Sequence, residues 1–439
     1  MSCTMTTSHK QPHFSTTVLP FLLTFLICLS ASAQSNLKMM QYNLMYYTNN
    51  SGVSGCTPAT NNLDTKDSCL RTIFHHVTPD VFCVCEVGSN ETYADRILNN
   101  VININGIDRY RRGPLTHYSG GTIANMIYYD SEKLTLCDSY YITTQYRDIN
   151  GYKMHINGRM YNGDSTFITF WIMHLKAGQY ESAQTARHTQ TQRLMERISS
   201  SGMPGNYIVS GDFNIYRDSE PAYQEMVNYT NSLYRLYDPI DRAGDWNNNG
   251  QFADIHTQST HSFESSGCFS TGGLDDRFDF ILVSPYVYYG SYGVQVLPET
   301  YYALGQDGEH FNNSLIQPQN NSLPQEVLTA LYRQSDHLPV ITEFAIDETS
   351  GITEPTTLCF MKAENPVADK LTIHVQSLVE DDCTFEVFSV DGKKLGIYTA
   401  HLTEQPCKLD YPFNFPKGIY ILKASGKKLP RQVLKLIKQ

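Results

Sequence analysis

Charge is scarce in this chain of 439 residues: Asp, Glu, Lys and Arg make up only 18%, against 41% hydrophobic residues. That balance excludes a disordered chain and describes an ordinary globular one. Basic residues are outnumbered 33 to 44, for a formal net charge of -11. The stretch from Lys417 to Lys438 carries positive charge alone, so the part before it is more acidic still. An acidic body argues against a tight, charge-driven grip on nucleic acid. It leaves room for an enzyme that touches phosphate briefly and uses a divalent cation as its local positive charge. No cysteine spacing resembles a zinc knuckle, so a metal would be held through oxygen and nitrogen. Beyond the amino-terminal leader no run is apolar for long enough to span a membrane. Tyrosine, by contrast, is abundant at 30.

The leader has the form of a signal peptide over residues 1–33. Lys10 and a polar stretch precede the apolar run Val18 to Leu29, and Ala31-Ser32-Ala33 supplies small residues for cleavage near Ala33 or Gln34. Lipidation at Cys28 fits less well, because Ile27 is too large for the position before a lipidated cysteine. Removing Cys3 and Cys28 leaves nine of the 11 cysteines. Cys56 and Cys69 share a polar stretch and could be bridged in an oxidising compartment. Cys83 and Cys85 alternate within an apolar strand pattern and read as small core residues.

Between the leader and about residue 347, strand patterns alternate with helical ones, which favours a layered α/β body. Strands are expected near Leu37 to Leu44, Val81 to Val87, Ile123 to Tyr129, Lys153 to Ile156, Ser165 to His174, Tyr207 to Ser210, Phe278 to Val283 and Pro339 to Ala345. Helices are expected near Lys66 to His76, Glu91 to Asn99 and Glu181 to Ser200. Glu299 to Gln334 is polar and rich in Gln and Asn, and reads as a long substrate-facing loop or lid. Residues 348–357 read as a linker. From 358 to 439 the pattern changes to short strands and turns, a separate small β domain.

Several strand patterns end in residues that can carry chemistry. Gly211-Asp212-Phe213-Asn214 follows Tyr207-Ile208-Val209, and Ser335-Asp336-His337 precedes Leu338-Pro339-Val340-Ile341. Asp212 and Asn214 alone could be no more than strand-end and turn residues. Glu86, however, ends an apolar run, where a carboxylate must be paired, protonated or metal-bound. Asn43 ends the first strand in the same way. His174 and His337 add an acid and a base suited to neutral pH, and Asp279 could orient one imidazole as a triad carboxylate does.

In these residues the chain resembles the endonuclease/exonuclease/phosphatase superfamily over about Leu37 to Ile346. The order is Asn43, Glu86, His174, Asp212 with Asn214, Asp279, then Asp336 with His337. The resemblance implies a four-layer α/β sandwich over residues 36–347, two packed sheets flanked by helices, with the site at their rim. It implies that Glu86 is the main Mg²⁺ ligand, with Asn43 and Asp336 close to the metal and Mn²⁺ as an alternative. It casts Asp212 and Asn214 as orienting water and phosphate, His337 held by Asp279 as acting on the scissile phosphate, and His174 as the second acid/base or phosphate-binding histidine. Two departures stand out: Cys85 occupies a position that is commonly Gln, and Ser119 to Asn125 offers no acidic partner for His174. Asp245-Trp246-Asn247-Asn248-Asn249-Gly250 fits half of a calcium loop, but His256 stands where a bidentate Glu belongs.

The end of the chain resembles the sorting domain of the type IX secretion system of Bacteroidota, through Asn365-Pro366, Val390-Asp391-Gly392-Lys393, Lys417-Gly418-Ile419-Tyr420 and Lys435-Leu436-Ile437-Lys438. It implies an immunoglobulin-like β-sandwich and the secretion machinery as partner. A carbohydrate-binding or adhesive module is the alternative, though the segment offers no tryptophan. The resulting expectation is a secreted, monomeric, metal-dependent phosphodiesterase acting on nucleic acid. A phosphomonoesterase, a sphingomyelinase-type enzyme and a catalytically dead adhesion protein are the alternatives. A lipid enzyme would want an apolar hairpin near the site, and the polar Gln306 to Gln325 stretch offers none.

Overall fold

A computed structural model of the chain describes residues 35–49, 55–116, 121–161, 164–200, 205–263, 268–346, 359–377, 380–390, 392–403, 405, 407–427 and 432–439. The expected signal peptide and linker lie outside them. The first part runs β1 (Ser35–Tyr47), α1 (Leu63–Val77), β2 (Val81–Gly88), α2 (Glu91–Ile97), β3 (Tyr110–Arg112) and β4 (Ile123–Asp130). It continues through β5 (Leu134–Ile142), β6 (Ile149–Tyr161), β7 (Asp164–His174), α3 (Glu181–Ser199), β8 (Tyr207–Asp212) and α4 (Pro221–Val227). It closes with β9 (Asp279–Val283), α5 (Pro285–Tyr289), β10 (Val294–Ala303), α6 (Gln325–Gln334) and β11 (Val340–Ile346).

Six strands in the order β10-β11-β1-β2-β4-β3 form one sheet and five in the order β5-β6-β7-β8-β9 form the other. Strand alternation divides the side chains between two environments. Met39, Val81, Cys83, Cys85 and Ile127 point inward and pack with Met154, Ile168, Phe170, Ile172 and Ile208 of the second sheet. Their neighbours Met40, Tyr42, Phe82 and Tyr128 point outward and pack with Leu70, Ile73 and Phe74 of α1 and Leu328 and Leu331 of α6. On the far side, Trp171, Met173, Val209 and Phe280 are covered by Leu194, Met195 and Ile198 of α3 and Met226 of α4. Every residue of β2 and β4 is buried, which is why those strands are mostly apolar, with Glu86, Asn125 and Asp130 as their polar members. The result is the expected four-layer α/β sandwich.

Register fixes which side chains meet at the rim. β1 and β2 are parallel with Asn43 opposite Cys85, and β7 and β8 are parallel with His174 opposite Asp212. β8 and β9 are antiparallel with Asp212 opposite Asp279. At Gly211 φ is +145°, and an added Cβ would lie 1.8 Å from the Met173 carbonyl oxygen, so the strand pair can close only around glycine.

The tail is a β-sandwich. Its strands are β12 (Cys359–Ala363), β13 (Lys370–Ser377), β14 (Asp381–Ser389), β15 (Lys394–Leu402), β16 (Cys407–Pro412), β17 (Gly418–Ser425) and β18 (Gln432–Lys438). A three-stranded sheet β12-β13-β16 and a four-stranded sheet β15-β14-β17-β18 enclose Leu371, Ile373, Phe385, Phe413, Leu422 and Leu436.

Two expectations are corrected here. Glu299 to Gln334 is not one long loop, since β10 runs to Ala303 and α6 covers Gln325–Gln334. The buried face of α6, with Val327, Leu328, Ala330 and Leu331, was masked by its Gln- and Asn-rich surroundings. Cys56 bonds Cys268 across 212 residues rather than Cys69, which faces inward from α1 and is buried. The bridge ties the segment after β1 to the loop before β9. Replacing both cysteines by serine is expected to lower stability by about 2–5 kcal/mol, because the crosslink restricts the unfolded chain. The measurement is the denaturation midpoint with and without reductant; identical midpoints would show that the crosslink constrains nothing.

Candidate active site

Asn43 lies where β1 leaves its regular ladder, followed by Met45 and Tyr46, both at φ 48°. Its side chain meets three others. Nδ2 is 2.9 Å from Asp212 Oδ2, 3.2 Å from Glu86 Oε1 and 3.4 Å from His337 Nε2. The Met45 N–H donates to Asn43 Oδ1 at 2.9 Å and so fixes which way the amide faces. Glu86 is held in the left-handed region at φ 64°, and its Oε2 accepts the Tyr46 N–H at 2.9 Å. A non-glycine residue in that region is held there by its surroundings at an energetic cost.

The second sheet supplies the other half. Asp212 Oδ1 accepts from the Asn214 backbone N–H at 3.0 Å and from Asn214 Nδ2 at 2.8 Å. That leaves Oδ2 facing Asn43 and His174, with His174 Nε2 at 3.3 Å. Asn214, at φ 51°, makes the turn that folds its amide back. Glu86, His174 and Asp212 offer ligand atoms within 4.8 Å of one another, and they are the group of that kind found among the described residues. Two buried carboxylates this close are costly without a cation. Burial pushes the Asp212 pKa up to about 7, with Asp279 and Glu86 adding to it and His337 opposing. The donor set therefore fits a metal ion.

His337 Nδ1 is 2.7 Å from Asp279 Oδ2. Burial alone would depress the imidazole pKa, but Asp279 and then Asp212 outweigh it and hold the pKa well above the ordinary value. His174 behaves oppositely: burial, then Arg147, His337 and Lys176, push its pKa well down. Its Nδ1 has no hydrogen-bond partner among the described residues, so nothing there replaces the missing acidic support. The two pKa shifts thus run in opposite directions, and of the two imidazoles only that of His337 has a carboxylate on Nδ1 among the described residues.

Every candidate residue reaches this rim, but Asp336 stands apart from the Glu86, His174 and Asp212 group. Its Oδ2 accepts the Ser270 N–H at 2.9 Å and lies 3.4 Å from Gln258 Nε2. The half calcium loop is engaged elsewhere. Asn247, Asn248 and Asn249 direct their side-chain oxygens to Gln179, Asn312 and the Gln251 N–H, and His256 lies between the Trp246 and Leu274 carbonyls. Cys85 is a buried inner-face residue near Gln41.

Two neighbours escaped the sequence reading. Gln258 Nε2 is 2.7 Å from His337 Nε2, and nothing in its local sequence marks it. Lys66 was detectable, as a lysine in line with Leu63, Leu70, Ile73 and Val77 on the apolar side of α1. Its Nζ donates to the carbonyls of Leu44 and Met45 after Asn43, and of Gln334 before Ser335, at 2.7–2.8 Å. Burial lowers its pKa to about 7, against the pull of Asp336 and Glu86.

Residues 365–439 match the secretion system C-terminal sorting domain. The chain is thereby marked for type IX secretion, exported through the periplasm to the cell surface or released. Among the described residues no helix is long and apolar enough to cross a membrane. No curated protein matches the chain in sequence. Among solved structures, the catalytic domain of human Nocturnin with bound sulfate is similar at 14% identity, over 71% of this chain and 95% of that one, with a TM-score of 0.43. D. rerio TDP2 complexed with a single-strand DNA product is similar at 14% identity, over 71% and 99%, with a TM-score of 0.43. An endonuclease/exonuclease/phosphatase from Beutenbergia cavernae is similar at 13% identity, over 91% and 100%, with a TM-score of 0.42.

Asp279→Asn should move the His337 titration midpoint down, measured by imidazole NMR, because the anion opposing the burial cost is gone. The wild-type charge contributes stability in full below an ordinary imidazole pKa of about 6.5, and loses it as pH rises through the raised folded value. The variant should therefore lose most stability relative to wild type at low pH, and little above the folded value. An unshifted midpoint would show that Asp279 does not set the charge.

Proposed function

We propose that the protein is a secreted, Mg²⁺-dependent phosphodiesterase that hydrolyses nucleic acid, with Mn²⁺ as an alternative ion. Residues 36–347 are the catalytic domain and act as a monomer; residues 1–33 are a leader, 348–357 a linker and 358–439 the sorting domain. The observation that carries the reading is convergence. Asn43, Glu86, His174, the Asp212 and Asn214 pair, Asp279 and His337 come from distant parts of the sequence, on or next to strands of both sheets, and meet at one rim. A dead fold used only for binding has no need of that whole set.

Phosphodiesters repel anionic nucleophiles, so the site must neutralise the phosphate, aim a water and protonate the leaving oxygen. A bound ion would supply the first through Lewis-acid neutralisation, held by Glu86 beside Asp212 with Asp336 adding negative charge nearby, while Asn43, whose Nδ2 faces both carboxylates, would fix their positions. Asp212, its Oδ1 fixed by Asn214 and its pKa pushed up to about 7, is placed to take a proton from water. His337, its pKa held well up by Asp279, presents Nε2 to the same space, where it stabilises charge on the phosphoryl oxygens and gives its proton to the leaving oxygen, to be restored from the proton that Asp212 takes from water. His174, with Nε2 3.3 Å from Asp212 Oδ2, is the second phosphate-facing group.

The test incubates the mature protein with plasmid DNA, RNA, sphingomyelin and inositol phosphates, with Mg²⁺ or EDTA. Nucleic-acid cleavage should vanish with EDTA and fall about 10²–10⁴-fold in His337→Ala, the usual scale for a lost acid/base group. Cleavage that survives either change would sink the mechanism, and turnover of lipid or monoester alone would sink the nuclease reading. Independently of activity, Glu86→Gln should weaken Mn²⁺ binding measured by calorimetry; unchanged affinity would remove Glu86 as a ligand.

A further inference from the structure

Tyr180 is 56% exposed, yet its ring is held in place. It packs against Gly178, where φ is +111° and an added Cβ would fall 2.5 Å from the ring. Lys176 Nζ lies 5.5 Å from the Tyr180 ring centroid and 5.6 Å from that of Tyr146, so one ammonium bridges two rings.

The segment is braced from below. Fully buried Arg187 donates from Nη1 to the Lys176 carbonyl at 2.8 Å and to the Gly178 carbonyl at 2.7 Å, while Nε and Nη2 bind Glu220. A buried ion pair is weak evidence of stabilisation in itself. Here it locks the backbone that follows His174. Arg147 adds a second cation, donating to the Leu175 carbonyl at 3.1 Å. Within an acidic body, this places two positive groups and a rigid exposed aromatic beside the phosphate-cleaving rim.

A held, exposed π face is suited to stacking, and a flanking cation to an adjacent phosphate. A base within a duplex already stacks on both faces, so only an unpaired base can use the ring. A quaternary-ammonium lipid headgroup is disfavoured, because Lys176 already occupies the space such a cation would need between the rings. Resting on the nuclease reading above, we propose that Tyr180, with Lys176 and Tyr146, forms a subsite that stacks an unpaired base next to the scissile phosphate. The enzyme then prefers single-stranded to duplex nucleic acid.

The test uses the full secreted chain carrying His337→Ala, in EDTA, with a labelled oligodeoxynucleotide and its duplex, read by fluorescence anisotropy. The single strand should bind tighter than the duplex. Adding Tyr180→Ala should weaken single-strand binding about tenfold, within the range for loss of one stacked base, and narrow the gap to the duplex. Gly178→Ala, which displaces the same ring, should do likewise. Tyr180→Ala is the decisive variant because the side chain is exposed and its removal leaves the core intact. Single-strand affinity unchanged by Tyr180→Ala overturns the subsite. If wild type cleaves nucleic acid while that variant is silent, only the subsite falls; if wild type cleaves no nucleic acid, the nuclease reading and the subsite fall together.

Discussion

The contact from Asn43 to Asp212 is the constraint on which the site depends. One side chain comes from the first sheet and the other from the second, and their 2.9 Å separation requires the two sheets to be stacked at one distance and one register. The apolar layer between the sheets sets that distance. Deeper in the same gap, Ser210 Oγ donates to Gln41 Oε1 at 3.0 Å, a second polar tie between the sheets. A slip of one residue in either strand would turn the rim side chains to the opposite face.

The surroundings brace this contact from several directions. Lys66 draws together the carbonyls after Asn43 and before Ser335, and Ser335 Oγ donates back to the Asn43 carbonyl at 2.7 Å. The ends of β1 and of the loop carrying Asp336 and His337 are therefore joined through buried hydrogen bonds. The Cys56–Cys268 bridge adds a covalent tie between neighbouring loops, a device suited to the oxidising space a secreted protein enters. Rigid support of this kind matters because a proton-transfer site works only when donor and acceptor are held within hydrogen-bond reach.

Much of this was legible in the sequence because it depends on local rules. Apolar runs ending in Glu86, His174 and Asp212 marked strands by alternation and burial, and marked their last residues as exceptions. The pairing of His337 with Asp279, which the family resemblance implied and no local rule could, is a contact across 58 residues at 2.7 Å. What escaped notice has a physical reason in each case. Strands β5 and β10 are partly exposed edge elements with weak apolar patterns. Helix α6 hides one apolar face among amides. Gln258 has no local mark, because its importance lies in a contact across 79 residues with His337.

By itself the sequence determined the layered α/β class, the β-rich tail, the acidic balance, and which strand ends carry ligand-type residues, since backbone periodicity and composition act over a few neighbours. Only the tertiary structure decided that Cys56 bonds Cys268, that Asp336 Oδ2 meets Ser270 and Gln258, and that His174 goes without a partner on Nδ1 among the described residues. It also decided the opposite pKa shifts of the two histidines. Those outcomes depend on distance, burial and the field of groups brought together from both sheets, and no short stretch of chain contains that information.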